Sequence, residues 1–196
     1  MTTPRLILLN GPPATGKSTL ARRYVEDNPL SLTLDIDRIR DLIGGWPSQP
    51  YAAGLLARSV AVAGARAHLG AGHDVVVPQL LTDPGFVGEL EEVAASVQVA
   101  FHEVTLLDSK ENALRRLIER THTSPDPTHR IPNLTLPPVP PSPAAADSPG
   151  RGDEAYINGL YDRLTALLAT RPGVKVIHSH EGDIDRTYRD FLACLS

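Results

Sequence analysis

Residues 11–18 read Gly11-Pro12-Pro13-Ala14-Thr15-Gly16-Lys17-Ser18, and this octet restricts the fold more than any other stretch of the chain. The spacing G-x-x-x-x-G-K-[ST] belongs to a loop whose backbone N–H groups turn inward around a phosphate. Gly11 and Gly16 stand where such a loop needs conformations that a Cβ forbids. The short apolar run Arg5–Leu9 ahead of it predicts a buried parallel strand. Lys17–Asp27 behind it predicts a helix, with Leu20, Ala21 and Tyr24 at helical spacing. A helix N-terminus placed after a strand and a glycine turn favours anions. The chemistry this implies is nucleotide binding. Lys17 reaches the β- and γ-phosphates, the Ser18 hydroxyl ligates magnesium, and Thr19 lies near the α-phosphate. ATP and Mg2+ are the cofactors expected.

Beyond the loop, strands and helices alternate. Leu30–Asp35, Asp74–Val77, a segment within Val97–Leu107, and Val174–His178 read as further strands. Asp37–Ile43, Ala52–Gly70, Pro84–Ala95, Ser109–Glu119, Asp153–Thr170 and Asp183–Leu195 read as helices. This alternation implies right-handed βαβ crossovers, hence an α/β fold with a five-stranded parallel sheet covered by helices on both faces. Residues 132–149 hold seven prolines in eighteen positions and cannot pack a core. We expect one domain over residues 1–196, with a lid or loop insertion at about 121–152.

The formal net charge of −4 and the lack of an obvious basic face argue against a protein that grips long nucleic acid. Cys194 is the single cysteine, so no disulfide forms within the chain. No apolar run is long enough to span a bilayer, and Met1–Asn10 lacks the apolar core of a signal peptide. These features predict a cytoplasmic protein, a monomer or homodimer, without a membrane partner.

The next informative block is Leu34-Asp35-Ile36-Asp37-Arg38-Ile39-Arg40. Strand carboxyl ends face the ligand crevice in such folds. If the strand runs through both acids, Asp35 and Asp37 point to the same side. One carboxylate then accepts the proton of an attacking hydroxyl and the other holds a magnesium-bound water. Asp37 at a helix start is also a possible cap, and Arg40 shares its face three residues on.

The stretch GPPATGKSTLARRYVEDNPLSLTLDIDRIRDLI resembles the opening of polynucleotide 5′-kinase modules. It is also similar to the wider P-loop kinase group that contains chloramphenicol phosphotransferase and the zeta toxins, one of the AAA-type ATPase families. That resemblance implies an aspartate base in a D-x-x-R motif, matched here by Asp37-Arg38-Ile39-Arg40. It makes Asp37 the general base and gives Arg40 the acceptor to bind or Asp37 to orient. Relatives often carry an acid just after the third strand, where this chain has Gln79. That glutamine can hydrogen-bond the acceptor or a magnesium water but supplies no charge, which shifts metal support toward Asp35. The resemblance also places arginines on a segment after the fourth strand, over the γ-phosphate. Arg120 is the leading candidate there, with Arg116 and Arg130 behind it, against a plain pairing of these arginines with Glu111 or Glu119.

The function expected is transfer of the γ-phosphoryl group to a hydroxyl of a small molecule such as an antibiotic, a nucleoside or a sugar derivative. Trp46 and Tyr51, in a loop, are candidates to line its pocket. A polynucleotide 5′-hydroxyl kinase and a zeta-type toxin kinase are alternatives from the same chemistry. A nucleotide-dependent regulatory ATPase is the alternative from another class. No N-K-x-D-like guanine motif is present.

Overall fold

A computed structural model of the chain describes residues 3–123, 151–180 and 182–196; for residues 117–118, 120–123 and 151–157 it describes the backbone alone. Five strands form one parallel sheet: β1 (Arg5–Asn10), β2 (Leu32–Thr33), β3 (Val75–Pro78), β4 (Ala100–Leu107) and β5 (Lys175–His178). Their order is β2-β3-β1-β4-β5. Among the described residues seven helices accompany them: α1 (Lys17–Asp27), α2 (Ile36–Asp41), α3 (Pro50–Gly70), α4 (Pro84–Ser96), α5 (Lys110–Thr123), α6 (Arg151–Ala169) and α7 (Ile184–Ala193).

The central position of β1 explains why it is apolar without interruption. Leu6, Ile7, Leu8 and Leu9 are all fully buried, since a strand with neighbours on both edges and helices on both faces has no solvent side. Alternation then divides its side chains. Leu6 and Leu8 join Ala57, Ala61 and Ala65 of α3 and Phe86 and Leu90 of α4. Ile7 and Leu9 join Leu20 and Tyr24 of α1 and Tyr188 and Phe191 of α7 on the opposite face. The alanines of α3 recur every four residues, so this helix lies close to the sheet. Helices thus cover both faces, as the alternation of elements predicts. Among the described residues, no helix is long and apolar enough to cross a membrane.

The second strand departs from expectation. It is two residues long, and Asp35 is not part of it. Asp35 instead caps α2, its Oδ1 accepting hydrogen bonds from Asp37 N at 3.1 Å and Arg38 N at 3.4 Å. A carboxylate that satisfies otherwise unpaired amides stabilises a helix start, and here it outcompetes strand extension. The cap, an alternative role for Asp37, therefore belongs to Asp35, and the same-side argument from strand alternation does not apply. Trp46 is in a short 3-10 turn (Trp46–Ser48), and Tyr51 is in the first turn of α3, rather than in an irregular loop. The other elements agree with the sequence reading to within a few residues at their ends. The insertion expected at about 121–152 falls mostly on residues 124–150, outside the described residues.

Asn10 ends β1 and pins the ligand end of the sheet. It is fully buried. Its Nδ2 donates to Leu81 O at 3.0 Å, while its Oδ1 accepts from Leu81 N at 2.9 Å and Gly11 N at 2.8 Å. Asn10→Ala leaves three buried backbone groups without partners. Each such group costs about 1–3 kcal/mol, but relaxation and water entry recover part of it. We expect a loss of about 2–4 kcal/mol, read as a lower urea midpoint at unchanged slope.

Candidate active site

The site lies where β1 ends and the connections to its neighbours diverge, the position at which open α/β sheets bind ligands. Three residues of the Gly11–Ser18 loop take positive φ: Gly11 at 139°, Ala14 at 62° and Gly16 at 95°. Left-handed residues in close succession aim neighbouring amides to one side and make an anion-binding concavity. Thr15 Oγ1 donates to Pro12 O at 2.9 Å and braces the turn from within. Gly16 caps α1, its carbonyl accepting from Leu20 N at 3.0 Å. Lys17 Nζ curls over the loop to Pro12 O at 2.7 Å.

Beside this loop stand the acids of the second crossover. Ser18 Oγ is 3.5 Å from Asp35 Oδ2, so a hydroxyl and a carboxylate lie side by side at the start of α1. Oxygen donors of this kind suit Mg2+. Asp37 is in the first turn of α2, and Arg40 Nη1 is 3.1 Å from its Oδ1. Burial pushes the Asp37 carboxyl up to about 6, against the opposing pull of Arg40 and Lys17; the neighbouring Asp35 and Asp41 carboxylates add to the rise. Arg40 is 1% exposed. Its guanidinium also lies 3.8 Å from Asp41 and stacks on the Trp46 ring at 4.5 Å from the centroid.

Gln79 directly follows β3 and is buried, its N–H donating to Leu9 O at 3.1 Å beside the start of the loop. Arg116 projects from α5 toward β5. It pairs with Asp108 Oδ2 at 3.0 Å and donates to Ser179 Oγ at 3.1 Å. Ser179 Oγ in turn donates to Thr15 O at 3.2 Å, so α5 is linked to the phosphate loop through one hydroxyl. Glu119, weighed as a partner for these arginines, has Arg115 Nη1 at 3.3 Å. Arg120 is on α5, one turn beyond Arg116, with only its backbone described. Arg130 lies outside the described residues.

Sequence reasoning missed Asn10, Asp108 and Ser179. Each is at or just beyond the carboxyl end of a strand, namely β1, β4 and β5. Their place at the crevice was the available signal. It was diluted because short polar residues occur at every strand end.

The sequence profile of the AAA domain family matches residues 6–132, more than half of the chain. The chain belongs to the AAA domain family. Its fold is that of the P-loop nucleotide-binding proteins of the polynucleotide-kinase-like group. No curated protein matches this AAA-domain chain in sequence. Solved structures do share its fold. One is a provisionally assigned kinase from Chloroflexus aurantiacus j-10-fl, with TM-score 0.64 and 14% identity over 100% of both chains. Another is the Deinococcus radiodurans tunicamycin resistance protein, with TM-score 0.58 and 16% identity over 98% of this chain and 96% of that one. At such identities both are likenesses of fold.

Proposed function

We propose that this AAA-domain protein is an ATP-dependent phosphotransferase that delivers a γ-phosphoryl group to a hydroxyl of a small molecule. The observation that carries this reading is the pairing of the Asp37 carboxylate with the buried Arg40 guanidinium beside the loop that holds Lys17. A switch protein has no need of a second-crossover carboxylate raised toward neutrality. A kinase base benefits from one, because proton transfer is most efficient when the acceptor's pKa approaches the working pH.

When bound, Mg-ATP supplies the transferable phosphoryl group and the cation that screens it. The chain's own groups do the rest. The loop amides and Lys17 hold the phosphate oxygens. Ser18 Oγ and Asp35 provide oxygen ligands for the metal. Asp37 takes the proton from the acceptor hydroxyl as that oxygen bonds to phosphorus. Gln79 hydrogen-bonds the acceptor. Arg120 brings positive charge toward the γ-phosphate, and Arg116, held by Asp108 and Ser179, backs the nucleotide side of the loop. Most of the rate enhancement on this scheme comes from positioning and fixed charge.

A small acceptor fits better than a polynucleotide. Arg40 is already balanced by Asp37 and Asp41, and Arg58 is near Asp83 at 4.0 Å and over the Phe86 ring at 5.0 Å. A polyanionic acceptor calls for cations not already balanced by acids. The test is a γ-phosphate transfer screen with Mg-ATP over antibiotics, nucleosides, sugar derivatives and 5′-hydroxyl oligonucleotides. Transfer to a small hydroxyl compound supports the reading. Transfer to oligonucleotides alone establishes the polynucleotide kinase instead, and slow hydrolysis with every acceptor establishes the regulatory ATPase.

Ser179 gives a separate check on the nucleotide side. Removing its hydroxyl frees Thr15 O and one hand of Arg116. A net hydrogen bond is worth roughly 1 kcal/mol, or about fivefold in a binding constant. Ser179→Ala is therefore expected to raise the KM for ATP about fivefold while leaving kcat nearly unchanged, as steady-state kinetics would show.

A further inference from the structure

Arg40 presents a problem that Asp37 alone does not solve. A guanidinium with 1% exposure must be neutralised and shielded, and it has two carboxylates within reach. Asp37 is at 3.1 Å and Asp41 at 3.8 Å, on opposite sides along α2. If the guanidinium turned toward Asp41, Asp37 would lose its fixed partner. The group that restrains it comes from outside the helix. After α2 the chain turns through Leu42 and Ile43, whose amides bond Ile39 O at 3.1 Å and Arg40 O at 2.9 Å. Gly44 and Gly45 follow, with Gly45 at φ 71°, and Trp46 N closes onto Ile43 O at 3.2 Å. This reversal brings the indole of Trp46 over Arg40, with the guanidinium carbon above the ring 4.5 Å from its centroid. A left-handed residue is needed for so tight a reversal, which accounts for glycine at position 45.

We propose that Trp46 is a positioning residue for phosphoryl transfer, its ring holding the Arg40 guanidinium where Nη1 stays on the Asp37 carboxylate. This rests on the reading of Asp37 as the base. Stacking on the face of tryptophan restricts a guanidinium to one plane and is strongest where water is excluded, as it is here. Held in place, Arg40 Nη1 stays beside Asp37 Oδ1 and limits the rotation of that carboxylate, and transfer depends on its orientation to within fractions of an ångström. Trp46 itself touches no reacting atom in this account. It acts through Arg40.

The experiment compares Trp46→Phe with Trp46→Leu in the full chain, since both keep an apolar side chain and only phenylalanine keeps an aromatic face. Two readouts are used. The first is the Nε–H resonance of Arg40 in NMR spectra, assigned by its loss in Arg40→Lys. It should retain its ring-current displacement in the Phe variant and lose it in the Leu variant. The second is turnover, measured on the best acceptor of the screen or, if none reacts, on Mg-ATP with water as acceptor. Turnover should fall about tenfold in the Leu variant, with the KM for ATP unchanged, and stay within about twofold of wild type in the Phe variant. Equal turnover in the two variants overturns the proposal, whatever the NMR signal does, because a packing role alone predicts that result. Repeating the pair in Asp37→Asn separates the two claims. The Phe–Leu difference should vanish there, and its persistence overturns action through Asp37. Full activity of Asp37→Asn alone instead overturns the base assignment, and the NMR comparison still judges the stack.

Discussion

Asp37→Asn should lower turnover for phosphoryl transfer by about 10²–10⁴-fold, the usual contribution of a positioned general base. The substitution is nearly isosteric. Asparagine keeps an oxygen at the 3.1 Å position beside Arg40 Nη1, so the buried guanidinium retains a polar neighbour there. What the amide cannot do is take up a proton. The effect should therefore fall on kcat, with the KM for ATP changed less than about twofold, because the phosphate loop and Ser18 are untouched. That division identifies loss of an interaction made in the transition state. A variant with wild-type turnover would remove Asp37 from the chemistry and return the site to nucleotide binding alone.

Gly11→Ala should be strongly damaging for a change of a single methyl group. Gly11 has φ 139°, a region that side-chain-bearing residues rarely enter. A Cβ built there lies 2.2 Å from the carbonyl oxygen of Leu106 in β4, which is backbone and cannot swing aside. Either the loop lifts from the sheet or β1 and β4 separate. The β1–β4 ladder runs over six residues, with Asn10 opposite Thr105 at its end. Backbone strain alone costs about 1–3 kcal/mol, and overpacking adds a comparable amount. A loss of about 3 kcal/mol or more is expected, which for a domain of this size lowers Tm by roughly 6–12 °C. Nucleotide affinity should fall with it, since the amides after Gly11 lose their common direction. Calorimetry with and without Mg-ATP reads both effects. Unchanged Tm and affinity would mean that the loop adapts freely, and the rigid-cradle account would fail.

The two variants differ in how visible their causes are in the sequence. Gly11 can be read as indispensable from the octet alone, because spacing of glycine, lysine and serine is a local property and the chemistry of a phosphate loop is made of local backbone geometry. The five strands and the helices on both faces are legible for the same kind of reason: β1 is apolar at consecutive positions, and α1 repeats its apolar residues at helical spacing. Asp37 and Arg40 are also legible as a pair, since three residues on a helix bring side chains together without help from elsewhere.

Other features depend on contacts between residues far apart in the chain. Periodicity extended the second strand to Asp35, whereas the folded chain stops it at Thr33 and uses Asp35 as a cap, because unpaired amides at a helix start compete for the same carboxylate. Asn10 is an unremarkable polar residue until Leu81, seventy-one positions away, comes within hydrogen-bonding distance. Ser179 acquires meaning only when β5 pairs with β4 and brings it to Thr15, 164 residues earlier. Sequence by itself determined the phosphate cradle, the class of fold and the carboxylate–arginine pair, all of which arise from residues close along the chain. Tertiary structure alone decided that Arg40 is buried, that Trp46 lies on it, and that Arg116 is tied to the loop, because burial and pairing across the sheet depend on which distant segments fill the space around a side chain.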